Sequence, residues 1–231
     1  FGEKIPPYCL PETNSGIELD IIREALAFRG HVLKPKYLPF ARIPYEFEIG
    51  HVDAAMTDAG KDLSTKGGNY ADPAVIYDNV LISLKQRNLH IKQPTDLNGL
   101  SVLSFVGAAN RYPDWLAPVK KDGRYFELND QSRQVLMLNR GRTDLVLSDR
   151  YIFRYFSRLL QQTEKFIPAA IDEHRFVKLN PMNYRPIFRD KAIRDDFNAG
   201  LSQLKKNGRF NEIYKKYDPI VLLFEVNFFF F

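Results

Sequence analysis

At 231 residues, with 45% hydrophobic and 26% charged residues, the chain is long enough for one large or two modest domains and needs neither a disulfide nor a metal to hold a core. Its formal charge of +5 comes from 33 Lys and Arg interleaved with 28 acids, which describes a solvated surface better than a nucleic-acid footprint. A single cysteine, Cys9, excludes an intramolecular disulfide, and no histidine or acid stands at a spacing that would make it a nucleophile.

The opening FGEKIPPY has neither the charged nor the apolar region of a signal peptide, which leaves the expectation that any leader has been removed. IELDIIREALAFRG (17–30) sets Ile17, Ile21, Ile22, Ala25, Leu26 and Phe28 on one stripe and stops on Gly30, the pattern of an amphipathic helix. HVLKPKYLP (31–39) alternates like a strand, ARIPYEFEIG (41–50) predicts a short helix, and VDAAMTD (52–58) predicts a buried strand. Strands alternating with helices predict a parallel α/β sheet.

A second series starts with a strand at VLISLKQ (80–86), a polar stretch (87–99) and a strand at LSVLSFVG (100–107). Strands at 124–128 and 143–149 then alternate with helices at 131–141 and 150–162, which predicts a second lobe. Segments 176–183 and 185–190, followed by amphipathic helices over 192–217 split near Gly208, have no core of their own and are expected to pack back on the first lobe. The apolar tail IVLLFEVNFFFF (220–231) is shorter than the roughly 20 residues that cross a bilayer. The start of a membrane helix, an edge strand and an appended segment all remain open for it.

The two series echo each other: EIGHVDAAMTD (48–58) and NRGRTDLVLSD (139–149) share a helix end, a glycine, an Asp, an apolar strand and a closing Asp. Asp58 and Asp149 are thereby placed at the carboxyl ends of strands, where open α/β sheets bind ligands.

Seven segments in order, PPYC (6–9), GIELDIIREAL (16–26), GHVDAAMT (50–57), YADPAVIYDNVLIS (70–83), TDLNGLSVLSFVGA (95–108), GRTDLVLSD (141–149) and LSQLKKNGRFNEIYKKY (201–217), resemble motifs of the bacterial extracellular solute-binding proteins of family 3. Those proteins serve polar amino acid ABC transporters. The resemblance implies a type II periplasmic-binding-protein fold: two lobes, each a mostly parallel sheet flanked by helices, with two crossovers near Leu84 and Tyr184. Lobe I would comprise 1–84 and 185–219, and lobe II 85–184. It also implies a periplasmic monomer that closes on a small amino-acid-like or anionic ligand in the interlobe cleft, delivers it to a membrane permease, uses no cofactor or metal and does no chemistry.

Two departures bear on the ligand. The family's Thr-Pro-Glu-Arg segment, whose Arg grips the ligand carboxylate, is replaced by KDLSTKGGNYADP (61–73), where Lys66 lacks the guanidinium fork. The Gly-Thr pair of the second lobe is replaced by VGAANRYP (106–113).

Six residues are candidates for the binding site. Tyr8 would stack on the ligand, as the resemblance implies, or is an aromatic stiffened by Pro6 and Pro7. Arg42, at a helix entry, would grip a carboxylate or is solvated. Asp149 matches the carboxylate that the family uses for the ligand ammonium, and it would equally cap the helix that follows. Asp58 is open to the same role or to a turn with Gly60, and Tyr77 to the cleft or the core. Arg111 would face an anion held near a helix start, and with Arg42 it would make the ligand anionic.

His-Glu-x-x-His, Gly-x-Ser-x-Gly and phosphate-loop patterns are missing, and His31, His51, His90 and His174 are isolated in sequence. The sequence leaves open a sensor domain of a membrane receptor, and, on the same fold, an enzyme resembling the periplasmic cyclohexadienyl dehydratases.

Overall fold

The computed structural model describes residues 1–2, 4–164, 166–178 and 185–217. These form two compact units, 1–76 with 185–217 and 77–178. The sequence placed residues up to 84 in the first lobe; the division falls before the strand at 79–84 because that strand lies at the heart of the second unit's sheet. The expected crossover near Tyr184 and the apolar tail lie outside the described residues.

The first unit is built around α1 (Ile17–Ala27), whose buried face is Ile17, Ile21, Ile22, Ala25 and Leu26; Phe28, expected on the same stripe, lies just past the helix end and is exposed. Gly16 is required where α1 starts: its φ is 134°, and a Cβ there would stand 2.3 Å from the Tyr8 carbonyl oxygen. That close approach lets the amides of Ile17 and Glu18 donate to Pro7 and Tyr8 at 2.9 and 3.1 Å, which fixes the first loop against the helix.

Residues 31–39 form no strand. Pro35 and Pro39 have no amide hydrogen to give a ladder, and the run makes only an isolated parallel bridge, Gly2 to Leu38. Helix α2 (Ile43–Glu48) then buries Ile43 and Phe47 against Ala55, Met56, Leu63 and Ile187. Strand β1 (Ala54–Ala55) is shorter than the buried strand expected over 52–58, and β2 (Asn69–Tyr70) had no counterpart among the expected elements.

In the second unit come β3 (Asn79–Leu84), β4 (Val102–Ser104), α3 (Ala108–Arg111), α4 (Pro113–Lys121), β5 (Tyr125–Glu127), α5 (Gln131–Asn139), β6 (Leu145–Asp149), α6 (Arg150–Thr163) and β7 (Ile171–His174). The sheet order is β5-β4-β6-β3-β7. Its central strands β4, β6 and β3 are buried on both faces, so alternate residues enter two different cores. Leu81, Leu145 and Leu147 pack with Leu116 and Val119 of α4, while Val80, Ile82 and Val146 pack with Val135, Leu138 and Phe153 of α5 and α6.

Back in the first unit, β8 (Ile187–Phe188) pairs antiparallel with both β1 and β2. Helix α7 (Lys191–Lys206) lies along α1, and α8 (Arg209–Tyr217) ends with the Tyr217 hydroxyl 2.6 Å from buried Asp20. The architecture is α/β as expected, but the sheets are not mostly parallel. Among the described residues, the strand ladders of the first unit are antiparallel and its isolated Gly2–Leu38 bridge is parallel; in the second β4 runs parallel to β5 and β6 while β3 is antiparallel to β6 and β7. No helix connects β3 to a parallel neighbour, so nothing enforces the parallel sense there. Residues 176–178 are not strand, and the rest of the strand expected over 176–183 lies outside the described residues.

Candidate functional site

In the second unit, four polar side chains gather where β6 ends and β3 begins. Asp149 is 2% exposed, and its Oδ1 accepts the amides of Tyr151 and Ile152 at 2.9 and 3.0 Å, capping α6. Asn79 stands opposite it in the ladder and donates from Nδ2 to the Tyr112 hydroxyl at 3.0 Å. Burial pushes the Tyr112 phenol above its ordinary range; the Arg111 charge and the Asn79 bond act against this, and Asp149 adds to it. Arg111, on the last turn of α3, is exposed. Asn79, Arg111, Tyr112 and Asp149 therefore form one local group of a cation, an anion and two neutral hydrogen-bonding ends.

Tyr77, half-buried, directly precedes Asp78, which takes Arg150 Nε at 3.0 Å and Arg175 at 3.3 Å; Arg150 also reaches Glu173 at 3.1 Å. This network joins the start of β3 to β7 and α6. Asn79, Tyr112 and the network left no local signal, because their partners are far apart along the chain.

An anion at the start of α3 was expected to be met by free amides. Those amides are occupied: Glu127 accepts from Gly107 at 2.9 Å, from Ala109 at 3.4 Å and from the Tyr125 hydroxyl at 2.6 Å. Burial works to raise the Glu127 carboxyl, and the bonds from Tyr125, Gly107 and Ala109 hold it below its ordinary range. Tyr125 and Glu127 share one face of β5 at i, i+2, which is the one sequence signal that could have linked them.

In the first unit, Tyr8 is fully buried, with its hydroxyl 3.5 Å from the Ile76 carbonyl oxygen. Arg42 bonds Glu46 Oε1 through its Nε at 3.0 Å, one helical turn on, while its side chain is largely exposed. Glu46 is 2% exposed and also receives Lys36 at 2.8 Å and His51 at 3.3 Å. Lys36 foremost, helped by Arg42 and His51 and opposed by burial, brings its carboxyl down to about 2.

Asp58 accepts from the Gly60 amide and the Tyr70 hydroxyl, both at 2.9 Å, and Tyr70 in turn accepts the Leu63 amide at 3.1 Å. Turn and loop closure are thus the work of Asp58 here. The Arg185 guanidinium lies over the Tyr70 ring at 4.6 Å, bringing a cation to the loop that lacks the expected Arg. The sequence reading passed over Arg185.

Cys9 is buried, and burial followed by the Glu18 charge pushes its thiol up to about 12, far from a reactive thiolate. The histidines all have protein partners: Asp196 for His31, Glu46 for His51, the Asn88 carbonyl for His90 and Ser83 for His174. Among the described residues, no three His, Cys, Asp or Glu side chains group in a way that could hold a metal ion.

No family model matches the chain. Solved structures do. An ancestral cationic amino acid solute-binding protein is 19% identical, with TM-score 0.68 over 94% of this chain and 93% of its own. The second substrate-binding domain of Lactococcus lactis GlnP, in open conformation, is 20% identical, with TM-score 0.65 over 94% and 92%. A histidine kinase sensor domain with similarity to periplasmic binding proteins is 18% identical, with TM-score 0.63 over 94% and 93%. At these identities the likeness establishes the fold, and the chain has the two-unit fold of the type II periplasmic binding proteins.

Proposed function

We propose that the protein is an extracytoplasmic solute receptor: it takes up one small polar, amino-acid-like or anionic molecule and releases it unchanged. The observation that supports this most is the fold, shared over nearly the whole chain with proteins described as amino acid binders. In the second unit, Asp149 would meet a ligand ammonium and Arg111 an anionic group. Arg42, oriented by the bond from its Nε to Glu46, would offer its remaining guanidinium donors to an anionic group. Arg185 takes the place of the missing first-unit Arg in this reading, because it lies over Tyr70 beside the altered loop. Tyr8 and Tyr77 remain proposed ligand-facing aromatics, and Asp58 supports the loop through Tyr70.

A membrane permease of the ABC type is the partner in this reading. The alternative is the ligand-sensing part of a signalling receptor, favoured by the likeness to a histidine kinase sensor domain and to the GluR0 ligand-binding core of Nostoc punctiforme. The gene neighbourhood separates the two: a permease and ATPase alongside supports delivery, and a kinase or cyclase fused downstream supports sensing.

The test of binding is a thermal-shift screen over amino acids, organic acids, amines, small peptides and sugars. A ligand at 100 times its dissociation constant adds about 2.7 kcal/mol, which moves the midpoint of a chain this size by roughly 5–10 °C. A shift with an amino acid or organic acid supports the reading. A shift with sugars alone would overturn the ligand class, and conversion of prephenate or arogenate would overturn the non-enzymatic reading.

A further inference from the structure

Glu127 closes β5, which runs parallel to β4 with Glu127 level with Ser104, and β4 in turn sets Ser104 level with Leu147 of β6. Residues level across a ladder share a face, and Asp149 lies two residues beyond Leu147 on that same face. The Glu127 carboxylate therefore stands along the sheet edge at which Asp149 closes β6. Arg111 belongs to the same edge through the backbone. Gly107, whose amide donates to Glu127, accepts the amides of Asn110 and Arg111 on its carbonyl, both at 3.2 Å.

What Glu127 does there is what a bound carboxylate would do. Its Oε2 takes the Gly107 amide, and its Oε1 takes both the Ala109 amide and the Tyr125 hydroxyl. Burial and then the bond to Glu127 push the Tyr125 phenol up, so at neutral pH the tyrosine is the donor and Glu127 the anion. A second carboxylate brought to these amides would meet a like charge, and displacing Glu127 would strip a half-buried anion of three donors. Ala108 and Ala109 add no side-chain donor that could compensate. The Arg111 side chain is exposed.

We propose that Glu127 is a specificity-determining residue: its own carboxylate fills the place at Gly107 and Ala109, so the second unit admits an anionic group through Arg111 and rejects a ligand whose carboxylate must reach the backbone. Discrimination by a fixed charge set against the wrong ligand is a general device. This deepens the receptor reading and rests on it for its meaning, since it narrows the solutes accepted to those that are neutral or cationic beside 107–109.

The test uses acetate as the carboxylate and acetamide as its neutral match, at constant ionic strength, so its outcome is independent of which solute the protein binds. Amide NMR signals of Gly107 and Ala109 are followed in the parent protein, in Glu127→Ala and in Glu127→Gln, which keeps the shape and loses the charge. The expected result is a saturable shift of both amides with acetate in Glu127→Ala, about tenfold or more tighter than in the parent, a smaller gain in Glu127→Gln, and none with acetamide. Should Glu127→Ala not fold, the gain in Glu127→Gln carries the test. Two results would overturn the proposal: no gain for acetate in a folded variant, or acetate reaching these amides in the parent as tightly as in the variants, which would mean that Glu127 swings aside. A failed solute screen with this gain present would overturn the receptor reading and leave the discrimination by Glu127 standing.

Discussion

Asn79 and Asp149 face each other across the antiparallel ladder of β3 and β6, one opening its strand and the other closing it. Asn79 turns to Tyr112, and Asp149 caps α6 with one oxygen. The charge of Asp149 is thus separable from its capping role. Asp149→Asn keeps a capping oxygen and should shift stability little, whereas Asp149→Ala should lose about 0.5–2 kcal/mol. If a ligand ammonium is met there, both variants lose about tenfold or more in affinity by calorimetry, because a hydrogen bond to a charged group contributes about 1.5–3 kcal/mol. Full affinity in Asp149→Asn would remove the residue from the site.

The contact of α1 with α7 depends on Gly200. A Cβ there would lie 1.9 Å from the Ala25 carbonyl oxygen, which is backbone and cannot step aside without moving a helix. Gly200→Ala should therefore cost at least the upper part of the ~1–3 kcal/mol typical of overpacking and lower the midpoint by roughly 4–10 °C. An unchanged melting curve would show that the helices separate more easily than this geometry implies.

Glu18 is buried in the first turn of α1, and its Oε2 has no hydrogen-bond partner among the described residues. Burial raises its carboxyl from 4.5 to about 8, against the opposing charge of the Phe1 amine. The folded form thus holds a proton that the unfolded chain releases, and stability attributable to this group is present below 4.5 and lost as pH rises toward 8. Glu18→Gln should match the parent protein near pH 4.5 and melt progressively higher than it as pH approaches 8. The same gap at both pH values would show that the carboxyl is already ionised in the fold.

Glu46 carries the opposite sign. With its carboxyl lowered from 4.5 to about 2 by Lys36 first and then by Arg42 and His51, its contribution is complete above 4.5 and is lost as pH falls toward 2. Glu46→Gln should lower the urea midpoint at pH 6, and the difference from the parent should shrink steadily below pH 4.5. A difference independent of pH would assign its effect to packing alone.

The second unit was the more legible in sequence because its strands are buried on both faces and read as apolar runs, as in LVLSD at 145–149. Strand β7 was missed for the converse reason. Its sequence, IDEH, is polar, and Glu173 is held by Arg150 and Arg154, partners that only the fold brings near. Helix α4 was hidden by its prolines: Pro113 sits at the helix start, where a missing amide does no harm, but Pro118 lies inside and reads as a breaker. At the candidate site, the end of β6 could be read from the repeated Asp pattern. The pairing of Arg42 with Glu46 was within reach at i, i+4, whereas the occupation of the α3 amides by Glu127 depends on β5 lying beside β4.

The most direct measurement is a calorimetric titration with the molecules that shift the melting point, followed by NMR of the ligand recovered from the same cell. One molecule bound per chain and a ligand spectrum identical before and after is the result that a solute receptor gives. Failure of amino acids and organic anions to bind, or the appearance of a product in the spectrum, would contradict it.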